Sequence, residues 1–214
     1  MSALTPQDEA YWIAKEEEIV SLQVDLAKYG FLTDHDCFRR GWTNDPRVLV
    51  RRGVAEALVQ AKAELPAGLS FRVVDGWRPW AIQKMIAEDA RGKIIESHPE
   101  WTAEQIDRQL WTMAPPARVV PRLGSHRYGG AVDLTLVGSD GKDLEMGVSL
   151  NYVAGTEASL LHYEFREGLG EREALGRRNR RILLRAMEAA GFEPYLPEYW
   201  HWNYNRDMLA LPPS

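Results

Sequence analysis

The feature that most restricts the fold is the run "YGGAVDLTLV", where two glycines, Gly129 and Gly130, lead into a strictly alternating segment. Ala131, Asp133 and Thr135 take one parity and Val132, Leu134 and Leu136 the other. A period of two is the signature of a strand with one face on a core. The small and polar residues then line the opposite face, which is available for chemistry. His126 stands just before the glycines, seven residues from Asp133.

Around this strand the periodicities are mixed. Val54, Ala57, Leu58, Ala61 and Leu65 fall at helical spacing in "VAEALVQAKAEL", and "PAG" stops that helix. "LSFRVVDG" predicts a strand ending in a turn. "PWAIQKMIAEDARG" predicts a helix with Pro79 at its first position and its end near Gly92. Thr102 and Gln105 form a capping box that opens a short helix over "TAEQIDRQLW". "RNRRILLRAMEAAG" predicts a helix ended by Gly191, with Ile182, Leu183, Ala186 and Ala190 on its buried stripe. "EYWHWNY" is rich in the aromatics that strands favour and predicts the last strand. Helices and strands do not alternate regularly, so the expected class is α+β, with a central mostly antiparallel sheet flanked by helices.

Composition narrows the function. At 214 residues the chain suits one domain spanning 1–214, without internal repeats or a low-complexity linker. Apolar residues are 45% and charged residues 27%, ordinary for a soluble globular protein. The net charge of −5 offers no basic footprint for nucleic acid. The densest basic run, "RRNRR" at Arg177 to Arg181, reads as a solvated helix face. A lone cysteine, Cys37, excludes an internal disulfide. Its surroundings, "DHDCFRRG", read as a polar loop, because the adjacent Asp34, His35 and Asp36 rarely converge on one ion. No signal peptide is visible at the N-terminus, and no apolar run approaches the ~18 residues of a membrane span. The expected location is cytoplasmic. Nothing here decides between a monomer and a homodimer.

Three segments could carry chemistry. A catalytic zinc takes three ligands from His, Asp, Glu or Cys and keeps a position for water. His126 and Asp133 supply two candidates, although a glycine turn with Asp133 merely hydrogen-bonded would leave the same pattern. "PEYWHWNY" adds Glu198 and His201, a carboxylate able to take a proton and an imidazole able to be a third ligand. Residues three apart on a regular strand point to opposite faces. Pro197 suggests that Glu198 sits on a bend and His201 inside the strand. An aromatic strand with solvent-facing polar residues is the alternative. In "VVDGWRPW", Pro79 holds Arg78 extended. The guanidinium could stabilise an oxyanion, or it could be a structural ion-pair partner.

Together these segments resemble the VanX-type D-alanyl-D-alanine dipeptidases. "SHRYGGAVDLTL" is similar to the H-x-x-G-x-A-x-D part of their signature, "EYWHW" to their E-x-W-H and "DGWRP" to their arginine-proline turn. The likeness continues through "EMGVSLN" and "NRRILLRAMEAAGF", covering roughly Val48 to Tyr204. It implies a zinc dipeptidase fold with the site on the sheet and one zinc per chain held by His126, Asp133 and His201. It also implies Glu198 as general base, Arg78 in transition-state stabilisation, and a small cell-wall peptide as substrate.

The pattern is broken at two places. The family has a serine two residues before its first ligand, where this chain has Gly124, with Ser125 one position along. The family's M-G-x-x-F-D segment ends in an aspartate that receives the dipeptide amine, whereas "MGVSLN" ends in Asn151. Glu145 lies six residues earlier as a substitute. Three functions remain open: hydrolysis of D-alanyl-D-alanine, a relative retuned to another or amine-blocked short substrate, and a non-catalytic zinc-binding module. Retention of both Glu198 and Arg78 speaks against the last.

Overall fold

The alternating segment becomes β5 (Ala131–Val137), at the centre of a five-stranded sheet. The computed structural model describes residues 18–113, 126–150 and 156–204. With β2 (Leu32–Thr33), β4 (Ser70–Asp75), β6 (Phe192–Pro194) and β7 (His201–Tyr204), the strand order is β2-β4-β5-β7-β6. Among the described residues only the β2–β4 pair of this sheet is parallel; the three others are antiparallel. A separate antiparallel pair joins β1 (Ile19–Ser21) to β3 (Leu49–Arg51). This is the expected α+β arrangement with a mostly antiparallel sheet.

The α-helices among the described residues are α1 (Asp36–Arg39), α2 (Arg52–Ala63), α3 (Trp80–Ser97), α4 (Ala103–Met113) and α5 (Glu171–Ala189). Helices α2 and α5 contribute Val54, Ala57, Leu58, Ala61, Leu183, Ala186 and Met187 to the main core. They share it with Phe71 and Val73 of β4, Val132, Leu134 and Leu136 of β5, and Trp202 of β7. Register explains the grouping: Phe71 faces Leu136, Val73 faces Leu134, and Val132 faces Trp202, so one sheet face is apolar throughout. Losing a buried leucine there, such as Leu134, would cost ~2–5 kcal/mol. Helices α3 and α4 form a smaller cluster of Ile94, Ile106 and Leu110. Among the described residues no helix is long and apolar enough to cross a membrane.

The capping box opens α4 as expected, with Gln105 accepting the Thr102 N–H at 2.8 Å and Thr102 accepting the Gln105 N–H at 3.3 Å. Several expectations need correction. Pro79 is the N-cap of α3 rather than its first residue, and the helix passes Gly92 to end at Ser97. Glycine inside a helix is tolerated at ~1 kcal/mol. Helix α5 begins at Glu171, ahead of the predicted start, and the "RRNRR" run is not a uniformly solvated face. Arg180 is only 2% exposed. It donates to the carbonyls of Met146 and Glu157, both at 2.8 Å, and packs over the rings of Tyr163 and Tyr199. "DHDCFRRG" holds the short helix α1 with Cys37 buried, not an open polar loop. Every residue of β5 is buried, so its polar face looks onto other protein groups rather than open solvent.

Candidate active site

The polar face of β5 carries Ala131, Asp133 and Thr135 opposite Asn203, His201 and Arg72 of its neighbours. Antiparallel pairing therefore puts Asp133 directly across from His201. His126 reaches the same point from the short 3-10 turn His126–Tyr128 that precedes β5. Gly129 closes that turn at φ +66°, with its N–H donating to the His126 carbonyl at 3.0 Å. A Cβ at Gly129 would lie 3.2 Å from the Arg51 amide nitrogen and 3.1 Å from Ile19 Cδ1. The glycine therefore serves both as a tight turn and as the hinge that points His126 at the sheet.

Three donor atoms converge. Asp133 Oδ1 lies 3.1 Å from His126 Nε2 and 3.0 Å from His201 Nδ1, and the two ring nitrogens are 3.2 Å apart. Tetrahedral ligands at zinc distances would be about 3.3 Å apart, so this triangle has the right size for one small divalent ion. Proton accounting agrees. His126 Nδ1 lies 2.6 Å from the Gly76 carbonyl, which can only accept, so that nitrogen bears the hydrogen. His201 Nε2 lies 3.2 Å from Asn203 Oδ1 and donates to it. Each neutral ring then presents a bare lone pair towards the other and towards a carboxylate. Three lone pairs meeting in a buried space repel unless a proton on His201 Nδ1 or a metal ion joins them.

The buried groups of the cluster hold their protons unequally. Burial lowers the pKa of His126, keeping that ring neutral. Against the opposing effect of burial, His126 and Arg78 hold Asp133 well below the ordinary carboxylate range. Also against burial, the hydrogen bond and charge of Asp133 push His201 up. Burial weakens the charge of Arg78, but Asp75 and Asp133 outweigh it and keep the guanidinium protonated.

Glu198 lies on the turn after Pro197, its N–H donating to the Tyr195 carbonyl at 2.9 Å. His201 N–H returns to the Glu198 carbonyl at 3.2 Å, and β7 begins only at His201. The bend removes the opposite-face problem of a straight E-x-x-H strand. Burial pushes the Glu198 carboxyl up to about 7, and the nearby His201, Asp133 and Arg78 modulate it. Arg78 makes ion pairs, as one sequence reading allowed: Nε to Asp75 Oδ2 at 2.8 Å and Nη2 to Asp133 Oδ2 at 2.5 Å.

Of the remaining candidates the structure describes only Glu145. Ser125 and Asn151, with Gly124, lie outside the described residues. The Glu145 carboxylate is engaged elsewhere, accepting from the Gly147 amide at 2.6 Å and from Arg172 Nε at 2.9 Å. Sequence reasoning missed three contributors: Asp75, the Gly76 carbonyl and Asn203. Asn203 was legible as the second residue after His201, since alternate strand residues share a face. Gly76 was not, because its need for glycine comes from Leu49, whose carbonyl oxygen would lie 2.2 Å from a Cβ.

Known proteins resemble this chain over most of its length. A family profile described as D-ala-D-ala dipeptidase, of the M15 peptidases, matches residues 23–212. A D-alanyl-D-alanine dipeptidase of Enterococcus faecium is 32% identical over 159 residues, 73% of this chain and 73% of the relative. One from Enterococcus faecalis is 27% identical over 167 residues, again 73% of each. A third, from Synechocystis sp., is 25% identical over 179 residues, 76% of this chain and 71% of the relative. With a match running through nearly the whole chain and over every strand of the sheet, this protein belongs to the D-ala-D-ala dipeptidase family of M15 peptidases.

Proposed function

We propose that this protein is a zinc-dependent hydrolase of short peptides, with D-alanyl-D-alanine as its first substrate and one zinc per chain. The observation that carries the reading is the triangle of His126, Asp133 and His201 donor atoms, 3.0–3.2 Å apart, beside a carboxylate pushed up to about 7. His126, Asp133 and His201 would hold the ion through Nε2, Oδ1 and Nδ1. Zinc, when bound, supplies a Lewis acid that polarises the scissile carbonyl and acidifies water.

Glu198 is the general base. Its carboxylate takes a proton from the attacking water, then returns it to the leaving amine as the C–N bond breaks, so the group ends as it began. A pKa near neutrality suits both halves of that cycle, since proton transfer is most efficient between groups of similar acidity. Arg78 has its Nε and Nη2 engaged, and among the described residues Nη1 carries no hydrogen bond. That N–H is the donor offered to the oxyanion, where charge grows as water adds. Gly76 and Asn203 fix the two imidazole tautomers, leaving the bare nitrogens pointed inward.

A second reading concerns selectivity rather than chemistry. Where the family's segment ends in aspartate this chain has Asn151, and Glu145 is held by Arg172 and the Gly147 amide. The proposed enzyme therefore lacks a free carboxylate for the substrate amine in this segment and tolerates amine-blocked or longer substrates. The test is hydrolysis by zinc-loaded protein of D-alanyl-D-alanine, L-alanyl-L-alanine and N-acetyl-D-alanyl-D-alanine. Zinc-dependent cleavage of the first is expected, with measurable cleavage of the third. No cleavage of any peptide by fully loaded protein would leave a binding module and refute the proposal.

A further inference from the structure

Asp75 takes no part in the chemistry above, yet it has an unusual position. At the end of β4 the ladder slips: Val73 pairs with Leu134, and Asp75, not Val74, pairs with Asp133. One extra residue in β4 thus turns a second carboxylate to the site face. Asp75 and Asp133 are each 3% exposed. Like charges directly opposite destabilise a sheet, and burial sharpens the repulsion. Arg78 resolves it by lying between them, Nε on Asp75 and Nη2 on Asp133. Two hydrogen bonds to separate carboxylates fix a planar guanidinium in rotation as well as position.

Asp75 is itself held from behind. Oδ1 accepts the Gly76 N–H at 2.8 Å and faces His35 Nε2 at 3.9 Å, while Oδ2 also accepts the Cys37 thiol at 3.4 Å. Burial and the Asp75 charge push the Cys37 thiol up, so it stays protonated and able to donate. His35 is anchored in turn by Nδ1 to the Asp45 carbonyl at 3.0 Å. The donors of His35, Cys37 and Asp75 lie within 4.8 Å of one another, close enough to suggest a second metal centre. The hydrogen bonds argue otherwise. Both Asp75 oxygens already accept hydrogen bonds within the protein, whereas Asp133 gives Oδ2 to Arg78 and keeps Oδ1 for the two imidazoles. The cluster is a hydrogen-bonded cradle.

We infer that Asp75 is the positioning residue for Arg78, holding the guanidinium against the metal-binding group so that Nη1 is kept for substrate. The inference rests on the hydrolase reading above. In full-length zinc-loaded protein, Asp75→Asn should keep about one zinc per chain and leave KM within about threefold. Its kcat should fall ~10–100-fold, short of the 10²–10³ of losing an oxyanion donor outright. Arg78→Ala should lose at least as much, and the double variant should be no slower than Arg78→Ala alone. Added guanidinium chloride should restore part of the Arg78→Ala rate, but far less when Asp75 is also replaced. If Asp75→Asn does not fold, Asp75→Glu keeps the charge and displaces the guanidinium by one methylene; reduced kcat at unchanged KM supports the role.

Losses that multiply in the double variant, or an unchanged kcat in Asp75→Asn or Asp75→Glu, would overturn it. A readout independent of turnover is the Arg78 Nε–H resonance in a nitrogen-15 spectrum. It should be slow to exchange in wild type and lost in Asp75→Asn. If wild type cleaves nothing, the hydrolase reading fails, and this resonance still decides the clasp: its persistence in Asp75→Asn refutes positioning.

Discussion

Replacing Glu198 by glutamine should make the metal-free protein more stable while abolishing the proposed chemistry. Burial raises the carboxyl from its ordinary 4.5 to about 7. Each tenfold change in acidity is worth about 1.36 kcal/mol, so the full rise corresponds to ~3 kcal/mol. Glu198 is only partly buried, and ~1–3 kcal/mol is the expected window. The sign follows from proton binding. Between pH 4.5 and 7 the folded protein holds a proton that the unfolded chain has released, so wild-type stability falls as pH rises through that interval and levels off above it. Glutamine neither binds nor releases a proton, and its variant escapes this decline. The assay is urea unfolding of chelator-treated wild type and Glu198→Gln from pH 5 to 8. Their stability difference should move in favour of the variant as pH rises, because other titrating groups cancel between the two. Zinc should shrink the difference, since a nearby dication favours the ionised carboxylate. In parallel, zinc-loaded Glu198→Gln should keep its metal and lose ~10²–10⁴ in kcat. A stability difference flat across this range would show that Glu198 is not desolvated as described. Loss of zinc would mean that Glu198 is a ligand.

Three other outcomes are expected. His126→Ala or His201→Ala should lower zinc content sharply with the circular dichroism of the fold largely kept; full zinc by elemental analysis in both would refute the ligand assignment. Asn203→Ala removes the partner that fixes His201 Nε2, and chelator competition should show zinc binding weakened by about 10–100-fold; unchanged affinity would mean the tautomer is set elsewhere. Asn151→Asp should shift the ratio of rates on D-alanyl-D-alanine and its N-acetyl form towards the free amine by ~1–2 kcal/mol in relative kcat/KM; an unmoved ratio would place Asn151 away from the amine.

How much was legible depends on the range of the forces involved. The capping box at Thr102 and Gln105, the helical stripe at Val54 to Ala61 and the alternation over Ala131 to Val137 are local patterns, and each appears in the fold. The bend at Pro197 was equally local and put Glu198 ahead of the strand. Arg180 was misread because its neighbours are arginines; its burial depends on carbonyls of Met146, Glu157 and Ser159, 21 to 34 residues away. Cys37 was misread for the same reason, since it is covered by Asp75, 38 residues on.

The sequence by itself determined the supply of chemistry: two imidazoles, carboxylates and a guanidinium, each next to a glycine, proline or alternating run that restricts its backbone. Periodicity and turn chemistry act over a few residues, so they can be read from the chain directly. Tertiary structure alone decided which groups meet. His201 reaches Asp133 across 68 residues because β5 and β7 pair in one register, and a slip of one would turn His201 to the apolar face. Asp75 reaches Arg78 and the site face only because β4 carries one extra residue against β5. Register and bulge are set by the packing of the whole sheet, and no local segment of the sequence contains that information.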